Sequence, residues 1–98
     1  MEIIKKLEGT VLNVALEGRL DTLTAPELEN DMKEALEGVT ELKLDFKRLE
    51  YISSAGLRVL LVLQKNMSKK GSMTIYNVND QIAEVFDITG FADILTVK

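Results

Sequence analysis

An α/β fold, one small domain spanning residues 1–98 with a mixed β-sheet packed by helices, is predicted by three features of the sequence. Two segments alternate apolar and other residues with the two-residue period of a half-buried strand: Leu12, Val14 and Leu16 in one, Leu42, Leu44 and Phe46 in the other. Stretches with helical spacing and terminal signals lie between such segments. The second half reads strand, helix, strand, helix, strand, an order that implies parallel pairing through right-handed crossovers.

Glu2 to Leu7 and Thr10 to Glu17 flank Glu8-Gly9 and read as an antiparallel hairpin. After Gly18-Arg19-Leu20-Asp21 comes Thr24-Ala25-Pro26-Glu27, a threonine cap, a first-turn proline and a glutamate three positions on, which together form a capping-box pattern. The helix expected there carries Leu28, Met32, Ala35 and Leu36 on one side and stops at Gly38. Leu42 to Phe46 forms a strand before an Arg48-Leu49-Glu50 connection, and Ser54 to Lys70 a helix apolar around most of its circumference, which places it deep in the fold. Met73 to Val78 is the next strand. Asn79 or Asp80 caps a third helix ended by Gly90, and Ile94 to Val97 is the last strand.

Composition removes several functions. The chain has no histidine and no cysteine, so disulfides, thiolate metal sites and a histidine-based serine triad cannot be built within it. A net charge of −4 offers nothing to nucleic acid. Its longest apolar run, Val59 to Leu63, is far below the roughly 20 residues that span a bilayer, and MEIIKKLEG lacks the apolar core of a signal peptide. A protein of the cytoplasm, without membrane insertion, cofactor or metal, is the expectation. No phosphate-binding glycine loop is present.

The stretch most in need of explanation is YISSAGLRVLL, residues 51–61, where two adjacent serines and a glycine precede the buried helix. One hydroxyl is accounted for as an N-cap, a bond to an orphan amide that stabilises a helix by about 1 kcal/mol. The other stands where free N–H groups and the positive end of the helix dipole would tolerate a phosphate. Ala55 and Gly56 leave the approach to these hydroxyls uncluttered.

In order and spacing, GRLDTLTAPEL after a hairpin, YISSAGLRVLL after an alternating strand and the late DITGFADIL resemble the STAS domain over nearly the whole chain, above all the stand-alone bacterial anti-sigma factor antagonists. The resemblance implies a partner switch. An unmodified antagonist binds an anti-sigma factor that is also a serine kinase, phosphorylation breaks the complex, and a Ser/Thr phosphatase resets it. The family pattern places Ser54 at the phosphorylated position and Asp21 at the acidic residue beside it, which takes part in kinase engagement. Thr22, Thr24, Ser53, Ala55 and Arg58 complete the implied binding surface. Many switching members have aspartate where this chain has Ser53, a departure that removes a charge and adds a second possible acceptor.

Electrostatics alone suffices for such a switch. A phosphoserine adds roughly −1.5 to −2 charge, and beside Asp21 it would repel an acidic partner group. A loss of about 1.4 kcal/mol weakens binding tenfold, so no refolding is required. Arg58 either compensates the phosphate or is a solubilising surface residue. Two other readings stand beside this one. An enzyme would have Ser54 and Asp21 as its only nucleophile–base pair, with no group to orient them. A non-phosphorylated STAS interaction or scaffold subunit of a transport or signalling complex would use the same fold without the switch.

Overall fold

A computed structural model describes residues 1–98. Strand β1 (Glu2–Glu8) turns back at Gly9 (φ +64°) into β2 (Val11–Leu20), and the two pair antiparallel from Glu2↔Glu17 to Glu8↔Val11. Helix α1 (Ala25–Ala35) carries the chain to β3 (Glu41–Ile52), which pairs parallel with β2. Helix α2 (Ser54–Ser68) returns it to β4 (Ser72–Tyr76), parallel to β3, and α3 (Asp80–Thr89) follows. The sheet order is β1-β2-β3-β4, so the mixed sheet expected from the sequence is present.

The alternation read from the sequence is what builds the core. Leu12, Val14 and Leu16 of β2, Leu42, Leu44 and Phe46 of β3, and Met73 and Ile75 of β4 are buried on one face, with Leu28 and Met32 of α1, Leu60, Leu63 and Met67 of α2, and Ile82 and Phe86 of α3 in the same cluster. Residues between them along the strands, such as Asn13, Ala15, Lys43 and Asp45, stay half-buried on the opposite face. Each fully buried leucine or phenylalanine contributes about 1.5–3 kcal/mol of transfer free energy, so the period-2 pattern fixes which face of the sheet receives the helices.

Four local expectations change. First, β3 does not stop before Arg48-Leu49-Glu50 but runs through it to Ile52. Between Ala15↔Asp45 and Glu17↔Arg48, and again between Gly18↔Leu49 and Arg19↔Tyr51, β3 gains one residue on β2. These bulges re-phase the strand, so its later buried residues are Leu49 and Ile52, at a spacing of three. Second, β2 continues through Gly18-Arg19 to Leu20, beyond Glu17. Third, the capping box does not form: Thr24 has helical φ and ψ and its side chain caps nothing in α1. Fourth, Ile94 to Val97 is not a strand. Phe91–Asp93 is a 3-10 turn that lodges Leu95 in the core, and only the single parallel bridge Ile75↔Val97 reaches β4. Smaller adjustments follow the same physics, since Asn77 in the left-handed region (φ +61°) ends β4 before Val78.

Candidate functional site

The two segments singled out by sequence emerge side by side from neighbouring strands. Leu20 and Ile52, the last residues of β2 and β3, are partners across the parallel ladder, and the Ser53 N–H donates to the Leu20 carbonyl at 2.9 Å. Asp21 and Ser53 therefore leave the sheet next to one another, one leading into α1 and the other into α2. Gly56 lets α2 start this close. A Cβ at that position would lie 2.8 Å from both Ile52 Cγ1 and Leu20 Cγ and 2.9 Å from the Leu20 carbonyl oxygen, distances no methyl group can occupy. A parallel sheet with its helices starting at the carboxyl ends of the strands thus places the turn after β2 and the α2 N-terminus on one rim.

The adjacent serines have different environments. Ser53 has extended backbone (φ −101°, ψ 176°), is half-buried, and its Oγ accepts from the Gly56 N–H at 3.4 Å, a long N-cap bond. Ser54 is the first helical residue and its side chain is exposed. Ala55 is half-buried and Arg58, one turn on, is exposed. No acidic residue lies in the first turn of α2, so the amides at its N-terminus face no side-chain carboxylate of their own helix.

The turn after β2 is knit by Asp21. Its Oδ1 accepts from the Leu23 N–H at 3.0 Å and the Thr24 N–H at 3.1 Å, while its carbonyl accepts from the Ala25 N–H at 2.8 Å. Thr24 Oγ1 donates to the Arg19 carbonyl at 2.7 Å and accepts from the Asp21 N–H at 2.9 Å. Asp21 thus does for the entry into α1 what the sequence reading gave to Thr24 and Glu27. These contacts, led by the Thr24 N–H and opposed in part by burial, with the Leu23 N–H, the Thr24 hydroxyl and the Arg19 charge adding to them, hold the Asp21 carboxyl below its ordinary value of 3.8. Arg19 Nε lies 3.8 Å from Asp21 Oδ2 and its guanidinium sits 4.2 Å from the centroid of the Tyr51 ring.

The structure thus brings Asp21, Thr22, Thr24, Ser53, Ser54 and Ala55 to one rim, although the Thr24 hydroxyl is occupied internally. Arg58 stands one helical turn further along α2. Three residues of the same rim escaped the sequence reading: Arg19, Leu23 and Tyr51. Leu23 is 87% exposed, an apolar side chain between two threonines in a polar turn, and that contrast was its only signal in the sequence. The Arg19–Tyr51 pairing depends on the second bulge in β3 and has no local signature. No group of three acidic side chains converges to hold a metal ion, and no helix is long and apolar enough to cross a membrane.

A family model described as "Mlab, STAS domain" matches residues 5–96 of the chain. The protein belongs to the STAS family. BtrV of Bordetella bronchiseptica, assigned as an anti-sigma factor antagonist, is 34% identical to this STAS domain over 94 residues, covering 94% of this chain and 80% of BtrV. The anti-sigma-B factor antagonist of Bacillus subtilis is 30% identical over 96 residues, covering 97% of this chain and 87% of that protein. Among solved structures, the Bacillus cell fate determinant SpoIIAA in its phosphorylated form superposes with a TM-score of 0.76 at 18% identity, over 99% of this chain and 91% of that one. The fold of this STAS domain is therefore that of a protein solved with a phosphate attached.

Proposed function

We propose that this STAS domain is an anti-sigma factor antagonist working by partner switching: unmodified, it binds a serine-kinase anti-sigma factor, and phosphorylation of Ser54 releases it until a Ser/Thr phosphatase restores the hydroxyl. The names of its relatives support the antagonist role. The observation that carries the switch is the contrast between the two serines. Ser53 spends its oxygen on the Gly56 amide, whereas the Ser54 hydroxyl projects from the first turn of α2, beside a turn that presents a carboxylate. A phosphate there meets the positive end of a 15-residue helix, so the fold tolerates it. It also concentrates negative charge on a rim that already holds Asp21, so an acidic partner group is repelled and the interface has a dianion to desolvate.

Chemistry is carried by the partner in this reading, and the STAS domain is substrate and ligand, not catalyst. Mixing the protein with a candidate serine-kinase anti-sigma factor from the same organism and ATP should add the mass of one phosphate. That gain should disappear in Ser54→Ala and persist in Ser53→Ala. A gain that persists in Ser54→Ala and disappears in Ser53→Ala moves the site to the neighbouring hydroxyl. The absence of any complex, with or without nucleotide, overturns the switch. It would favour the second reading, a non-switching STAS interaction or scaffold subunit.

A further inference from the structure

Leu23 is the most exposed large apolar side chain of the molecule, at 87%, yet it sits in one of the most tightly bonded turns. Four hydrogen bonds close the segment around it: Leu23 N–H and Thr24 N–H to the Asp21 carboxylate, Thr24 Oγ1 to the Arg19 carbonyl, and Asp21 N–H to Thr24 Oγ1. A flexible loop would let a leucine fold back onto the adjoining apolar surface. This one is held out by its own backbone bonds, and an isobutyl group kept in water forfeits the transfer free energy that burial would return. The same bonds engage Asp21: its Oδ1 accepts from the Leu23 and Thr24 amides and lies 3.2 Å from the Thr24 hydroxyl, while its Oδ2 stands 3.8 Å from Arg19 Nε, so one of its two oxygens is given over to holding the turn that carries Leu23.

We infer that Leu23 is the apolar anchor of the partner interface, seating in a small hydrophobic pocket of the anti-sigma factor, and that Asp21 is a positioning residue that presents it. This rests on the reading of the chain as an anti-sigma factor antagonist. Interfaces draw most of their affinity from a few side chains that become fully desolvated, surrounded by contacts that only exclude water. On this rim Ser54 and Thr22 are small and polar and Arg58 is charged, whereas Leu23 supplies a rigid apolar projection. Its neighbour on the rim, Tyr51 under the Arg19 guanidinium, offers a second, flatter apolar surface. Leu23 sets which partner pocket fits, and the serine sets when.

Direct titration against the serine-kinase anti-sigma factor that the phosphorylation assay identifies tests both halves. Leu23→Ser should weaken binding about tenfold or more with an unchanged melting temperature, because the side chain supports nothing in the fold, while Leu23→Met should stay within about threefold of the native protein. Asp21→Ala should weaken binding comparably, and Asp21→Asn, which keeps an oxygen to accept the two amides, should restore it to within about threefold. Native affinity in Leu23→Ser overturns the anchor. Equal losses in Asp21→Asn and Asp21→Ala overturn the positioning role and make the Asp21 charge a direct contact. If the native protein itself fails to bind this kinase, the antagonist reading fails and the anchor falls with it, an outcome distinct from native binding that Leu23→Ser leaves untouched.

Discussion

Two oxygens one residue apart do different work at the start of α2, and the difference can be measured. Ser53→Ala removes the cap on the Gly56 amide and should cost about 0.5–1 kcal/mol in denaturant unfolding, the lower part of the range for caps because the bond is long at 3.4 Å. Ser54→Ala should change stability by less than about 0.5 kcal/mol, as expected for an exposed surface position. Asp21 adds a pH dependence. Its folded pKa lies below the ordinary value of 3.8, so the unfolded chain binds this proton more readily than the folded one as pH falls. The contribution is therefore complete above the unfolded value and is lost as pH drops through the depressed folded value. Asp21→Asn should flatten that part of the acid limb of an unfolding titration, and an acid limb identical to that of the native protein would show that the carboxylate gains nothing from its amides.

Among the elements, the entry into α2 is the most constrained. Gly56 packs against Leu20 and Ile52 with no room for a Cβ, so Gly56→Ala should destabilise the fold by about 1–3 kcal/mol through overpacking and displace the serine-bearing turn from the Asp21 turn. Chemical denaturation reports the first effect and the partner titration the second. The opposite result is expected in α1. Because Asp21, not a Thr24–Glu27 box, satisfies the leading amides, Glu27→Ala should stay within about 0.5 kcal/mol of the native protein in the same denaturation measurement. The bulges of β3 matter at this scale too. By adding two residues against β2, they bring Ile52 level with Leu20 and so align the two exits from the sheet.

For the molecule as a whole, the serine-bearing rim and the core are separate structures. The 24 apolar side chains that form the core cluster include neither serine, and Ser54 lies on the surface. An acidic mimic, Ser54→Asp, should therefore weaken partner binding about tenfold or more while the melting temperature stays within a few degrees of the native value. A large drop in melting temperature would instead make the hydroxyl part of the fold. The proposed switch would then work by charge placed on this rim, without a second conformation of the domain.

The amino-acid sequence by itself determined the elements and their sides: alternating leucines chose the buried face of β2 and the first half of β3, Asn79 and Gly90 bounded α3, and YISSAGLRVLL marked a helix start with an accessible hydroxyl. Those choices depend on periodicity and on side chains bonding within a few residues of themselves, which a linear pattern records. Tertiary structure alone decided where β3 ends, that the last segment makes one bridge instead of a strand, and that Arg19 and Tyr51 pair on the rim that carries Ser54. Each of these follows from register between neighbouring strands or from packing of the chain end, and such energies exist only once distant residues have met. The Asp21 cap is a local exception: two acceptors three residues apart compete for the same amides, and a linear pattern does not rank them.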